Sequence, residues 1–249
     1  MKAIGIVGYH HTGKTTLAVA LIQALTQRGF QVASIKDIHA GEYRADKEGS
    51  NSWKHAAAGA TQVFARGLHD GALILTPSPN LRQMLALLKA DWLIIEGLRD
   101  AAVPKIVCAA STGQADELID DTVFALSGPI SDSRESYQGL PVFCLQKRFP
   151  ELLDTVLRKA FDILPQSDPD CCSACGRTCY QMSGEIVSGR KERSDCVLDG
   201  QPALCLEVGG KPISIVPFVQ KLLRDSILAF VDNLKDVDPR ADVRIEIKR

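Results

Sequence analysis

The segment Gly8-Tyr9-His10-His11-Thr12-Gly13-Lys14-Thr15-Thr16 lies between an apolar run at residues 3–7 and a stretch with apolar residues at helical spacing. Its pattern, Gly8-x-x-x-x-Gly13-Lys14-Thr15, restricts the fold more than any other feature of the chain. The glycines let the backbone curl with its amide hydrogens turned inward, where a side chain would obstruct the turn or a bound phosphate. Lys14 offers a point charge to β- and γ-phosphates, and Thr15 offers a hydroxyl to magnesium. The helix that follows sets its positive N-terminal end against the anion. A strand, such a loop and an amphipathic helix in succession form a Walker A motif, so a nucleoside triphosphate with magnesium is the expected ligand. Gly8, His10, His11, Thr12, Gly13, Lys14, Thr15 and Thr16 are the residues expected around it. His10 and His11 occupy variable positions, where backbone amides do the binding; their imidazoles face phosphate, a partner or solvent.

The rest of residues 1–163 alternates short apolar runs with helical segments, which predicts an α/β fold with a mostly parallel sheet flanked by helices. Strands are predicted at 3–7, 31–36, 71–75, 92–95, 105–109, 122–126 and 141–145, and helices at 15–28, 52–60, 81–90 and 151–163. In the first helix Leu17, Leu21, Ile22 and Leu25 share a stripe, and Gly29 stands at the expected left-handed C-terminal cap. The run LPQSDPD at 164–170 has linker chemistry. Residues 171–249 then read as a small α+β domain rich in cysteine. Leu204, Leu206 and Val208 alternate, Gly209-Gly210 can turn, and Ile213 and Ile215 resume, as in a β-hairpin. A helix opened by Pro217 and a last strand through Val243, Ile245 and Ile247 complete that region.

The sheet pattern also places acidic groups. Ligands in such sheets bind beyond the carboxyl ends of the strands. Glu96 ends the apolar run Trp92-Leu93-Ile94-Ile95 and precedes Gly97, where a magnesium-linked or water-positioning carboxylate belongs. The alternative is a solvated carboxylate at a strand end. Asp37 and His39, after the second strand, face the same end of the sheet or form a plain surface turn. Ser127-Gly128-Pro129 could form a base-binding loop. No guanine-reading Asn/Thr-Lys-x-Asp run is present, so the motifs do not separate GTP from ATP.

Charge narrows the partners. The chain has 29 basic and 30 acidic residues, a formal net charge of −1. That balance leaves no electrostatic footprint for nucleic acid. No apolar run approaches the roughly 18 residues of a membrane span, and the first residues lack the layout of a signal peptide. A cytoplasmic location is expected. Disulfides are rare there, so the eight cysteines call for another explanation.

Six of the eight lie between Cys171 and Cys205, and Cys172, Cys175, Cys179 and Cys196 have the spacing C-x2-C-x3-C-x16-C. Thiolates that close together point to a metal. Structural zinc commonly takes two separated pairs of ligands, whereas one C-x2-C pair and no histidine occur here. A 4Fe-4S cluster accepts a compact run of three cysteines with a distant fourth. The cluster is favoured, zinc is the alternative, and Cys205 is the alternative fourth ligand to Cys196. Cys171 reads as a spare thiol, and Cys108 and Cys144 as small hydrophobes in apolar strands.

Four segments, GYHHTGKTT, SIKDIHAGEYRAD, SWKHAAAGATQV and DWLIIEGLRDAAVPKI, occur in this order over roughly residues 1–160 and resemble the molybdopterin-guanine dinucleotide biosynthesis protein B (MobB) family. The resemblance implies a GTP-binding, weakly hydrolytic and often dimeric protein. Such a protein assists a molybdopterin nucleotidyltransferase or another partner in molybdoenzyme maturation. It also implies that Gly8, Gly13, Lys14, Thr15 and Thr16 carry nucleotide and magnesium and that Glu96-Gly97 is the second motif. Asp46 and residues 53–60 would belong to a characteristic surface. A second, shorter resemblance joins CSACGRTCYQMSGEIVSGRKERSDC to the small 4Fe-4S domains of the Rnf B subunit and of corrinoid iron–sulfur proteins.

The leading expectation is thus a GTP-binding accessory factor for molybdenum or tungsten cofactor maturation, a slow GTPase and homodimer with a C-terminal iron–sulfur domain. A nucleotide-gated metallocluster-insertion or electron-transfer protein would use the same two modules. A small-metabolite kinase would use the phosphate loop with Asp37 or His39 as base. Lys14, Glu96 and Asp37 are the residues expected to act on the nucleotide in any of these.

Overall fold

The computed structural model describes residues 1–166, 175–196, 204, 206–208, 211–213, 215, 217–235, 238, 243–245 and 247. The chain forms two compact units. One comprises Met1–Gln166 with Cys179–Glu192, the other Ser167–Thr178 with Arg193–Arg249.

In the first unit the elements run β1 (Lys2–Gly8), α1 (Lys14–Gln27), β2 (Val32–Lys36), α2 (Asn51–Ala57), β3 (Gln62–Arg66), β4 (Gly71–Leu75), α3 (Leu81–Leu87) and β5 (Trp92–Glu96). They continue with β6 (Lys105–Cys108), α4 (Thr112–Asp116), β7 (Val123–Ser127), β8 (Ser136–Tyr137), β9 (Leu140–Phe143), α5 (Leu145–Lys159), β10 (Phe161–Asp162) and α6 (Cys179–Val187). The main sheet has the order β2-β5-β1-β6-β7-β9-β8, with β10 against the start of β1. The first six of these strands are parallel, and β8 and β10 are antiparallel to their neighbours. This is the α/β architecture expected from the alternating pattern.

β1 is central because it is apolar along its length: residues 3–7 are buried, with Ile4 and Ile6 fully so. β5 and β7 are buried from end to end, as strands covered on both faces should be. One core contains Val7, Val107, Leu118, Leu126 and Val142; another contains Ala3, Leu93, Ile95 and Val103. α1 buries Leu17, Leu21 and Leu25, which are removed from water at about 1.5–3 kcal/mol each.

Several elements depart from the predicted ones. The strand at 71–75 pairs antiparallel with β3 in a separate hairpin, from Gln62 opposite Leu75 to Arg66 opposite Gly71. Val63 is buried there, while Phe64 and Leu73 are exposed, so the hairpin is held by its own ladder more than by a core. The helix expected at 151–163 starts at Leu145, breaks its helical geometry at Arg148 just before Pro150, and stops at Lys159. Its expected tail is β10, where Asp162 pairs with Lys2 and with the amino terminus at 3.1 Å. Cys144 is the cap of α5 and half-buried, with Sγ 3.2 Å from Gln146 Oε1, so it is not the buried strand residue expected.

α6 comes from the cysteine-bearing segment beyond the expected boundary at 163, and it packs in the first unit. Gly184 lies so close to Asp121 that an added Cβ would be 2.6 Å from the aspartate's own. Lys159 Nζ donates to Val187 O at 2.9 Å, and Arg190 pairs with Asp121 at 3.4 Å.

In the second unit, β11 (Leu206–Val208) and β12 (Lys211–Ile213) form the expected hairpin, with Val208 opposite Lys211; its Gly209-Gly210 turn lies outside the described residues. α7 (Pro217–Val231) follows as predicted. Residues 243–245 are not a strand, which corrects the expected last strand; Val243, Ile245 and Ile247 are exposed. Among the described residues no helix is long and apolar enough to cross a membrane.

Candidate functional site

The pairing of β1, β5 and β2 brings three sequence-distant segments to one place. Ile6 and Lys36 both lie opposite Glu96, so the start of the glycine loop and the ends of β5 and β2 are neighbours. Gly8 has φ 156°, and a Cβ there would be 2.2 Å from Cys108 O. Gly128 is as constrained, since its Cβ would be 2.5 Å from Thr12 O. Only a residue without a side chain fits at either point, and the loop is pressed between β6 and the turn after β7.

Within the loop, Thr12 is buried and its hydroxyl donates to Tyr9 O at 2.9 Å. Lys14 Nζ also contacts Tyr9 O. Gly13, with φ 90°, is the residue before α1, and its carbonyl accepts from Leu17 N at 2.9 Å. His10 and His11 are exposed, their ring centroids 6.4 Å apart, and Thr15 and Thr16 open the exposed side of α1.

Glu96 is 5% exposed, which sets aside a freely solvated carboxylate. Its Oε1 accepts from Thr15 Oγ1 at 2.7 Å and forms an ion pair with Lys36 Nζ. Burial first, and then the charge of Lys36, hold the Lys14 ammonium below its ordinary range; Arg99 acts in the same direction and Glu96 against it. Asp37 is tied in through its backbone, which donates to Glu96 O at 2.8 Å, while its carboxylate pairs with His39 Nε2 at 3.2 Å. Ser127 Oγ donates to Phe143 O at 2.9 Å, so that hydroxyl is turned into the fold and not toward a base.

Sequence reasoning passed over Lys36, Arg99 and Tyr9. The guanidinium of Arg99 lies 5.2 Å from the centre of the Tyr9 ring, and the Tyr9 hydroxyl bonds Glu117, which raises its phenol above the ordinary range. The available signal for Lys36 was a cation at the last position of a strand, directly before Asp37.

Asp46 braces a helix start. Its Oδ1 accepts from Lys47 N at 2.8 Å and Ser50 Oγ at 3.1 Å, and Ser50 in turn caps α2 through Trp53 N at 3.0 Å. Hydrogen bonds, led by that of Ser52, hold its carboxyl below the usual range.

The expected metal ligands are divided. Cys172 and Cys205 lie outside the described residues. Cys175 is half-buried with Sγ 3.6 Å from Arg177 O, Cys179 is the first residue of α6, and Cys196 is buried. Among the described residues no group of three or more His, Cys, Asp and Glu is arranged to hold a metal ion. Cys108 is the buried hydrophobe expected, its thiol pushed up to about 12 by burial.

A second polar network lies at the start of β6. Lys105 is 1% exposed, and its Nζ donates to Tyr180 Oη at 2.7 Å, lying 4.1 Å from that ring's centre. Tyr180 donates to Asp120 Oδ2 at 2.6 Å, and Thr122 holds the other carboxylate oxygen through its backbone amide at 2.8 Å and its hydroxyl at 2.5 Å. Burial lowers the Lys105 ammonium to about 8 and raises the Tyr180 phenol to about 12. A cleft of about 780 Å³ opens nearby, lined in part by Asp121, Phe143, Arg148, Asp154 and Lys159. Arg148 there is paired with Glu151, and Lys159 donates to Val187 O.

Residues 3–128 match the family described as molybdopterin guanine dinucleotide synthesis protein B. A Methanocaldococcus jannaschii protein named putative molybdopterin-guanine dinucleotide biosynthesis adapter protein is 28% identical over 254 residues, spanning 99% of this chain and 97% of its own length. A Bacillus subtilis protein named probable molybdopterin-guanine dinucleotide biosynthesis adapter protein is 29% identical over 146 residues, 56% of this chain and 83% of its own. The crystal structure of Bacillus subtilis MobB superposes with a TM-score of 0.55 at 26% identity, covering 64% of this chain and 97% of that one. The archaeal similarity runs the length of the chain; the Bacillus ones cover part of it.

Proposed function

This chain belongs to the molybdopterin guanine dinucleotide synthesis protein B family, and from that premise we propose that it is a nucleotide-dependent adapter in molybdopterin-guanine dinucleotide cofactor biosynthesis. GTP with magnesium is its ligand, and hydrolysis is slow. One observation supports the site above the others: Thr15 and Glu96, from the helix after the loop and from the end of β5, share a 2.7 Å hydrogen bond beside Lys14. A hydroxyl and a carboxylate in contact are the oxygen pair that suits magnesium. When bound, magnesium would neutralise charge on the β- and γ-phosphates. Lys14 and the loop amides hold the phosphates, Glu96 keeps the Thr15 hydroxyl oriented, and Asp37 stands at the adjoining strand end, where a water could be positioned. A change in these strand-end loops with the nucleotide state would alter the surface offered to a molybdopterin nucleotidyltransferase, with the protein acting as a homodimer. Titration with Mg·GTP and Mg·ATP, repeated with Lys14→Ala, tests the assignment. Saturable binding that prefers GTP and vanishes in the variant is expected; equal binding by the variant removes the reading.

A second reading adds the cysteine segment, because Cys179 opens α6 and its neighbour Tyr180 is bonded to Lys105 of the sheet. The C-x2-C-x3-C-x16-C spacing supports a 4Fe-4S cluster, with zinc as the alternative. Anaerobic purification with iron, sulfide and zinc analysis decides it: four irons per chain are expected, and zinc without a visible chromophore rejects the cluster.

A further inference from the structure

We propose that Lys36 is a second phosphate-binding cation, held on Glu96 in the nucleotide-free protein and freed for the terminal phosphate when Mg·triphosphate binds. The inference rests on the nucleotide-binding reading and goes on to say how the site distinguishes a triphosphate from a diphosphate.

Glu96 Oε1 serves two donors, Thr15 Oγ1 at 2.7 Å and Lys36 Nζ. The pair with Lys36 is uneven: the carboxylate side chain is 7% exposed and that of Lys36 is 48% exposed. Glu96 is fixed at the end of a fully buried strand, whereas Lys36 is a charge on a flexible stem with half its surface in water. If one partner moves, it is Lys36.

The charges around the loop give that movement a direction. The charges of Lys36 and Arg99 both act on Lys14 there as repulsion. Glu96 is the carboxylate set among these cations. A ligand of several negative charges relieves that repulsion, and each added phosphate oxygen does so further. Glu96 would still be shared with Thr15 and with any magnesium held there, so a terminal phosphate would offer Lys36 the stronger anion. The γ-phosphate adds negative charge beyond that of the β-phosphate, more than Lys14 alone offsets, and Lys36 is the further lysine acting at that loop. In a diphosphate complex that anion is absent and Lys36 stays on Glu96. Lys36 would then carry the difference between the two nucleotide states to β2 and to the Asp37–His39 segment directly after it.

The test is isothermal titration of the full chain with Mg·GTP and with Mg·GDP, for the unaltered protein, Lys36→Gln, Lys36→Arg and Lys14→Ala. Loss of one charge-assisted contact predicts that Lys36→Gln weakens GTP about 10-fold or more and GDP less than about 3-fold. Lys36→Arg should recover most of the GTP affinity, and Lys14→Ala should weaken both nucleotides. Equal weakening of GTP and GDP by Lys36→Gln, or no weakening of either, overturns the role of Lys36. If Lys14→Ala still abolishes binding in that case, the nucleotide site itself stands. Failure of the unaltered protein to bind either nucleotide overturns both.

Discussion

Lys14 and Lys105 are both held below the ordinary lysine range, and in both burial is the first cause, yet the groups around them differ. Lys105 ends on Tyr180, which ends on Asp120, which is closed off by Thr122, so each polar atom along that path has a partner within the fold. Lys14 ends on a carbonyl of its own loop, with a second lysine beside it and the nearest carboxylate engaged elsewhere. One arrangement is complete and the other is short of negative charge. A buried lysine with satisfied partners anchors an element, here α6 on the sheet. On the proposed function, a lysine left among cations at the mouth of a glycine loop is kept for an anion that comes from outside.

Removing each lysine's function should separate the two regions. The largest effect belongs to Lys14→Ala, which should abolish saturable nucleotide binding in a titration, a loss of at least about 100-fold, while leaving the thermal midpoint nearly unchanged. Tyr180→Phe should do the reverse. It deprives Lys105 and Asp120 of their shared hydroxyl at a cost of about 1.5–3 kcal/mol. The thermal midpoint should fall by several degrees, with GTP affinity unchanged. If Tyr180→Phe lowered nucleotide affinity as much as stability, the two networks would not be independent.

The pH dependence of stability sharpens the contrast further. Lys105 has a folded-state value of about 8 against an ordinary 10.5, so between those values the unfolded chain binds more protons than the folded one. Stability from this group therefore rises as pH increases from about 8 to about 10.5. Tyr180, raised from 10 to about 12, acts oppositely, and its contribution is lost as pH climbs from about 10 to 12. Denaturant titrations across this range should show a rise followed by a fall. Lys105→Met should flatten the rise, and an unchanged rise in that variant would place its origin elsewhere. The smallest effect expected is that of Asn80→Ala, which opens the capping box of α3 with Gln83 and should cost about 1 kcal/mol in the same denaturant titration, with no change in nucleotide affinity.

The two regions were also unequally legible in the sequence. Gly8, Gly13, Lys14 and Thr15 are local: their spacing specifies a loop whatever surrounds it. Glu96 was found because a buried strand ended there. Lys36 was read merely as a strand end, since its meaning comes from β2 lying beside β5, a pairing no local pattern encodes. Lys105, Asp120 and Tyr180 are farther still from recognition, being 15 and 60 residues apart along the chain and united by the packing of α6. The same rule explains the elements. The helix face of Leu17, Leu21 and Leu25 was plain from its period, but β3 has the short apolar run Val63-Phe64-Ala65 between polar ends and takes its place only from the pairing with β4. The tail of the helix expected at 151–163 became β10 because the edge of β1 at Lys2 and Ala3 offered a ladder that local propensity cannot foresee.

The contrast between an open and a closed lysine network is tested most directly by one titration series: Mg·GTP into the unaltered chain, Lys14→Ala and Tyr180→Phe. Saturable binding in the first, its loss in the second and its retention in the third is the predicted result. Absence of binding in the unaltered chain, or binding that survives Lys14→Ala, would contradict the account.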